Sequence, residues 1–142
     1  MPISMPATER CSFCDYLAGL RPFTIVEQRE QAAILVTREQ RGQGHMLVIP
    51  VAHRPTVIDV TPAEEHALMN AVRRAAHAIT AAYDPEGIAV WQNNGVPAHQ
   101  TVPHVHFHVA GTLPGGGTQW GEVPRLDLEE TDQIAKRLRP HL

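Results

Sequence analysis

The chain has 142 residues, 43% of them hydrophobic and 19% charged, with 12 basic against 15 acidic side chains for a formal net charge of −3. That length suits a single domain, 1–142, with a real core. The acidic balance gives no electrostatic reason to expect DNA, RNA or an anionic membrane surface as a partner, so any phosphate site is expected to be local and built from neutral donors.

Residues 1–10 read as a loose, flexible start, because Pro2 and Pro6 block regular structure and nothing apolar repeats. This segment lacks the apolar block of a signal peptide, and no later stretch is apolar over the length of a bilayer, so a cytoplasmic protein is expected. In that compartment Cys11-x-x-Cys14 suggests a metal clip or a redox pair rather than a structural disulfide. Cys11 to Leu20 can hold a short helix ending at Gly19, with Pro22 beyond it. Phe23 to Glu27 and Ala32 to Val36 are apolar runs split by the polar segment Gln28 to Gln31, which predicts a hairpin. Arg38 to Gly44 is a polar connection, and His45-Met46-Leu47-Val48-Ile49-Pro50 is a third strand stopped by proline.

Thr61-Pro62-Ala63-Glu64 places a hydroxyl at the N-cap, proline at the first helical position and a carboxylate at the third, a capping box. Leu68, Val72, Ala75, Ala76 and Ile79 then recur at helical spacing through Tyr83. Asp84 to Gly87 turns the chain, and Ile88 to Trp91 is a strand leading into Asn93-Asn94-Gly95. Leu113 to Gly117 is a flexible loop; Asp127 with Glu130 caps a last helix carrying Leu128, Ile134 and Leu138. Hairpin, strand, helix, strands and helix together predict an α+β fold, an antiparallel sheet with one long central helix and a C-terminal helix.

The most unusual stretch is Pro103-His104-Val105-His106-Phe107-His108-Val109. Read as a strand, it lines His104, His106 and His108 along one face and Val105, Phe107 and Val109 along the other. Imidazole is the side chain that titrates near neutrality and the commonest metal ligand, so the row is a metal site, a nucleophile with helpers, or both. Two further clusters need explaining beside it: the cysteine pair, and His45 with His53 on either side of Leu47 to Pro50. A tetrahedral zinc wants four nitrogen or sulfur ligands, a demand that a CxxC pair with two distant histidines meets.

Gly44-His45-Met46-Leu47-Val48-Ile49-Pro50, Asn93 and Gln100-Thr101-Val102-Pro103-His104-Val105-His106-Phe107-His108-Val109 together resemble the histidine triad (HIT) superfamily of nucleotide hydrolases and transferases, in its zinc-bearing branch. The resemblance runs from about Cys11 to Trp120. It implies a HIT-like fold and a reaction at the α-phosphorus of a nucleotide, with His106 forming a covalent nucleotidyl-histidine and His108 and His45 as donors beside the phosphate. A neutral imidazole is nucleophilic through its hydrogen-free nitrogen, and stays so if a carbonyl holds its other N–H.

Asn93, Gln100 and Thr101 fall at or beside positions that hydrogen-bond phosphate or leaving group in the family, and Trp120 is a candidate near the leaving group. The resemblance further assigns a structural Zn²⁺ to Cys11, Cys14, His53 and His104. Steps of two along a strand span about 6.6 Å, too far for a zinc on His104 to touch the phosphorus attacked by His106. No organic cofactor is expected, and a homodimer is implied. Two positions depart from the family. His99 stands where glycine is usual, and Thr37 where an Asp or Asn commonly binds the ribose. Those departures leave room for a purine-nucleotide-binding regulatory protein with little turnover. A zinc-dependent hydrolase with His104 and His106 on one catalytic metal is the other alternative.

Overall fold

The structure is a computed structural model that describes residues 2–142. Five strands, β1 (Ile25–Gln28), β2 (Ala32–Val36), β3 (Gln43–Pro50), β4 (Ile88–Gln92) and β5 (Phe107–Gly111), form one sheet in the order β1-β2-β3-β5-β4, with every neighbouring pair antiparallel. Three helices, α1 (Ser12–Leu17), α2 (Pro62–Tyr83) and α3 (Leu128–Leu138), cover it. This is the α+β arrangement read from the sequence. Among the described residues no helix is long and apolar enough to cross a membrane.

Both faces of the central strands are covered, which explains why β2 and β3 are continuous apolar runs rather than alternating ones. Ile34, Val36, Met46 and Val48 point to the side where α2 brings Leu68, Val72, Ala75 and Ile79. Ala33, Leu35, Leu47 and Ile49 point to the other side and meet Phe13 and Tyr16 of α1. The second side carries the chemistry.

α2 begins as expected, with Thr61 Oγ1 accepting from the Glu64 N–H and the Glu64 carboxylate accepting from the Thr61 N–H at 2.8 Å. The same carboxylate, 2% exposed, also takes the Arg54 Nε at 3.0 Å. Arg54 in turn offers its carbonyl to the Val105 N–H at 2.7 Å, which ties the start of α2 to the middle of the triad segment.

The reading of residues 103–109 as one strand needs correction. The ladder starts only at Phe107, and His104 to His106 lie outside it, because their backbone is tied elsewhere: the His104 N–H to the Val102 carbonyl and the Val105 N–H to Arg54. Phe13 of α1 packs against His104 and His106, while His108 is half-buried beside Trp91. Pro2 to Arg10 form no helix or strand, yet they are not detached, because the Ser4 carbonyl accepts from the Val96 N–H at 2.7 Å.

Candidate active site and metal centre

His45 reaches the site because β3 is irregular at its start. The register against β5 shifts between Gln43 and Met46, and Gly44 sits at φ +62. A Cβ on Gly44 would lie 2.8 Å from the Tyr83 ring, so glycine is needed both for the turn and for the close approach. Beyond the bulge His45 and Leu47 face α1, and His108 lies opposite both Leu47 and Trp91 in the ladder. His45 is 1% exposed, His106 7%, and His104 fully buried.

The hydrogen bonds fix the tautomer of each ring. The Arg41 N–H donates to His45 Nδ1 at 3.1 Å, so the His45 proton is on Nε2, which donates to His108 Nδ1 at 3.0 Å. His108 therefore carries its own hydrogen on Nε2. His106 Nδ1 donates to the His104 carbonyl at 2.8 Å, leaving Nε2 as a bare lone pair. His104 Nε2 donates to the Pro50 carbonyl at 2.8 Å, leaving Nδ1 bare. Phe13 stands nearly perpendicular to both rings, 5.7 Å from His104 and 5.1 Å from His106 between centroids.

Burial keeps these rings neutral. It lowers His45 to about 3, with the Arg41 charge adding to the effect. It lowers His108 well below the ordinary imidazole value, helped by the charges of His106 and His45, and lowers His106 despite the hydrogen bond to the His104 carbonyl. The result at neutral pH is one nucleophilic nitrogen on His106 beside one N–H donor on His108, with ring centroids 5.0 Å apart.

Two cavities meet at His106, His108 and Thr101. One, about 390 Å³, has Phe13, Tyr16, Phe23, Leu47 and Val102 among its walls, and Thr37 on its lining. The other, about 420 Å³, is lined by Trp91, Asn93, His99, Arg41 and the 82% exposed Trp120, and Glu39 lines both. Thr37, Asn93, His99, Thr101 and Trp120 are thus all brought to the site. Gln100 is different: it is 3% exposed, and its amide is committed to the Gly95 N–H and to the Pro55 and Val102 carbonyls, so it shapes the loop instead of facing a ligand. His99 adopts the left-handed conformation, φ +69, that glycine would take without cost.

Arginines that the sequence reading did not single out also line the two cavities. Arg10, Arg21, Arg38 and Arg125 line the first cavity and Arg41 the second. Trp91 was also missed as a site residue; its ring stacks on His108 at 4.7 Å and 4°, and its place opposite His108 in the ladder follows only from the strand register.

On the far side of His104, Cys11, Cys14, His53 and His104 place their ligand atoms within 4.8 Å of one another. His104 Nδ1 stands 3.3 Å from His53 Nδ1, 3.4 Å from Cys11 Sγ and 3.5 Å from Cys14 Sγ, and Cys14 Sγ is 3.4 Å from His53 Nδ1. A zinc tetrahedron has edges of about 3.3 Å between nitrogens and about 3.5 Å between nitrogen and sulfur, so the four donors fit that ion. Burial, with the Cys11 thiol next to it, pushes the Cys14 thiol up to about 12, a proton that a bound cation would displace. The alternative in which His104 and His106 share a catalytic metal does not fit: His104 Nδ1 faces the cysteines, while His106 Nδ1 is held by the His104 carbonyl.

An antiparallel five-stranded sheet, with three imidazoles at and just before the start of β5 and two confluent cavities beside them, defines an α+β protein of the histidine triad type. The HIT domain profile matches residues 20–114, and the chain belongs to that family. It is 33% identical to "Protein hit" of Bacillus subtilis over 94% of this chain and 98% of that protein. It is 31% identical to the adenosine 5′-monophosphoramidase hnt1 of Schizosaccharomyces pombe, over 90% of this chain and 95% of that one. A zinc-bound histidine triad family protein from Mycobacterium smegmatis has the same fold at TM-score 0.79 and 26% identity, covering 92% of this chain and 91% of that one.

Proposed function

We propose that the protein is a HIT-type nucleotide hydrolase acting on nucleoside phosphoramidates, nucleoside monophosphate esters or dinucleoside polyphosphates. The observation that carries this reading is the bare His106 Nε2, its partner nitrogen committed to the His104 carbonyl, on a residue that lines both cavities.

His106 Nε2 bonds to the α-phosphorus as the bond from phosphorus to the leaving group breaks, and that bonding pair stays with the leaving atom. The His106 ring becomes cationic, and its Nδ1–H against the His104 carbonyl stabilises that charge. The His108 Nε2–H, aligned through His45 and the Arg41 N–H, meets the charge on the phosphoryl oxygens. Being neutral, His108 acts as a hydrogen-bond donor, and the leaving group takes its proton from water in the open second cavity. Water then attacks phosphorus, the P–Nε2 bond breaks, and neutral His106 returns as the water proton leaves to solvent.

Asn93, Thr101, His99 and Trp120 serve the leaving-group side, Thr37 the nucleoside side, and Gln100 positions the loop. Cys11, Cys14, His53 and His104 would hold a structural zinc. Bound there, it would tether α1 and its Phe13 to the triad. β4 is an edge strand with Val90 half exposed, and the homodimer implied by the family would continue the sheet there.

The test is turnover of adenosine 5′-phosphoramidate by the wild type and by His106→Ala. Loss of turnover in the variant is expected. Full turnover in His106→Ala contradicts the mechanism, and tight nucleotide binding without turnover by the wild type would favour the regulatory alternative.

A further inference from the structure

The first cavity carries more positive charge than the reaction needs. The α-phosphoryl group is met at the shared end by His106, His108 and Thr101, yet four arginines are among the residues that line the same cavity: Arg10, Arg21, Arg38 and Arg125. The only carboxylate lining it, Glu39, lies 3.8 Å from Arg41 of the neighbouring cavity. Arg10 is paired with Asp15 at 2.9 Å. Among the described residues no carboxylate oxygen comes within 4.0 Å of Arg21, Arg38 or Arg125. In a chain of net charge −3 this is a local inversion.

These cations are delivered by the fold. The Leu126 N–H donates to the Arg38 carbonyl at 2.8 Å, Arg38 Nε donates to the Leu126 carbonyl at 2.7 Å, and Glu39 forms a β-bridge with Arg125. The segment after the glycine-rich loop is thereby laid against the end of β2, which puts Arg125 beside Arg38. On the same lining, the Arg21 guanidinium sits 5.4 Å from the centre of the Tyr16 ring, itself stacked on Phe23 at 4.1 Å.

We propose that this arginine-rimmed cavity selects nucleotides carrying a second phosphate on the ribose, at the 2′ or 3′ oxygen. The inference rests on the hydrolase reading for which end of the ligand reacts. With the base on the aromatic and aliphatic floor and the α-phosphorus at His106, the sugar bridges the two, and its 2′ and 3′ oxygens face the rim. Thr37, on the same lining, brings no negative charge to oppose a phosphate there. Arginine suits the role because its planar fork matches two phosphate oxygens at once.

The experiment is titration calorimetry on the full chain with adenosine 5′-monophosphate, adenosine 2′,5′-bisphosphate and adenosine 3′,5′-bisphosphate. One bisphosphate is expected to bind at least about tenfold more tightly than the monophosphate, as charge-assisted contacts to a phosphate warrant, and the two isomers identify the oxygen. The preference should weaken as salt rises. It should shrink toward one in Arg21→Gln/Arg125→Gln, whose side chains are exposed and whose folding is checked by thermal unfolding. Equal binding of all three ligands by the wild type, or an undiminished preference in the folded double variant, overturns the proposal. Adduct formation on His106 is read separately: a bisphosphate preference without adduct would remove the hydrolase reading and leave the phosphate subsite standing.

Discussion

His45 is predicted to act through the direction of its hydrogen bonds, and two near-isosteric variants separate its halves. In His45→Asn the side-chain oxygen takes the place of Nδ1 and still accepts from the Arg41 N–H, but nothing donates to His108 Nδ1. In His45→Gln the amide nitrogen takes the place of Nε2 and still donates to His108, while the Arg41 N–H loses its acceptor. The contacts at stake are 3.1 Å and 3.0 Å long, around a ring only 1% exposed, so either loss leaves a buried polar atom unpaired. Each variant should therefore lose about 1–3 kcal/mol of stability in urea unfolding. Activity should divide them. Without the donor, His108 can turn or change tautomer, and one hydrogen bond lost only in the transition state costs kcat about tenfold or more in His45→Asn. In His45→Gln the His108 Nε2–H remains aimed at the phosphate, and kcat should fall by only a few-fold, with KM little changed in both. Steady-state kinetics on adenosine 5′-phosphoramidate decides it. Equal kcat in the two variants, or the reverse order, refutes the tautomer assignment.

Burial holds His45 and His108 below the unfolded imidazole value, so the unfolded chain binds more protons in acid; their stabilisation is full above about pH 6.5 and is lost as pH falls toward the folded values. Unfolding free energies from urea titration should decline below about pH 6.5, steepening toward about 1.4 kcal/mol per pH unit for each ring near pH 5, and a flat profile contradicts the neutral-ring picture. For the metal centre, zinc at a hundredfold its dissociation constant should add about 2.7 kcal/mol to wild-type stability. His53→Ala removes an exposed ligand and should abolish most of that response; an unchanged response would show that zinc binds elsewhere. Gly44→Ala forces a left-handed alanine against the Tyr83 ring and should cost about 1–2 kcal/mol for the backbone and about 1–3 for the overlap, while disturbing His45; a loss below about 1 kcal/mol would contradict the bulge's role.

Much of the molecule was legible in its sequence because the signals were local. The capping box at Thr61 and the spacing of Leu68, Val72 and Ile79 announce α2, and the alternation of histidine with apolar residues marks the triad. Thiols and imidazoles suggested a zinc site as chemistry, but the particular set Cys11, Cys14, His53 and His104 came from the family resemblance, and the structure brings those four ligand atoms together. Where the reading went wrong, tertiary contacts decided. His104 and His106 leave the ladder because Arg54, anchored by Glu64 far along the chain, takes the Val105 N–H. Gln100 looked like a ligand-facing amide, but its partners, including the Pro55 carbonyl, come from separate loops. The arginine rim was hidden because a net charge averages over the whole surface, whereas Arg10, Arg21, Arg38 and Arg125 meet only after folding.

Which atom takes the phosphorus decides the mechanism. Acid-stable trapping is unsuited to a phosphorus–nitrogen bond, so the direct measurement is ³¹P and ¹⁵N NMR of the adduct formed with adenosine 5′-phosphoramidate under neutral conditions and mapped to its residue. Phosphorus bonded to His106 Nε2, with Nδ1 still protonated against the His104 carbonyl, is the predicted result. Phosphorus on Nδ1, on another residue, or on none during turnover would contradict it.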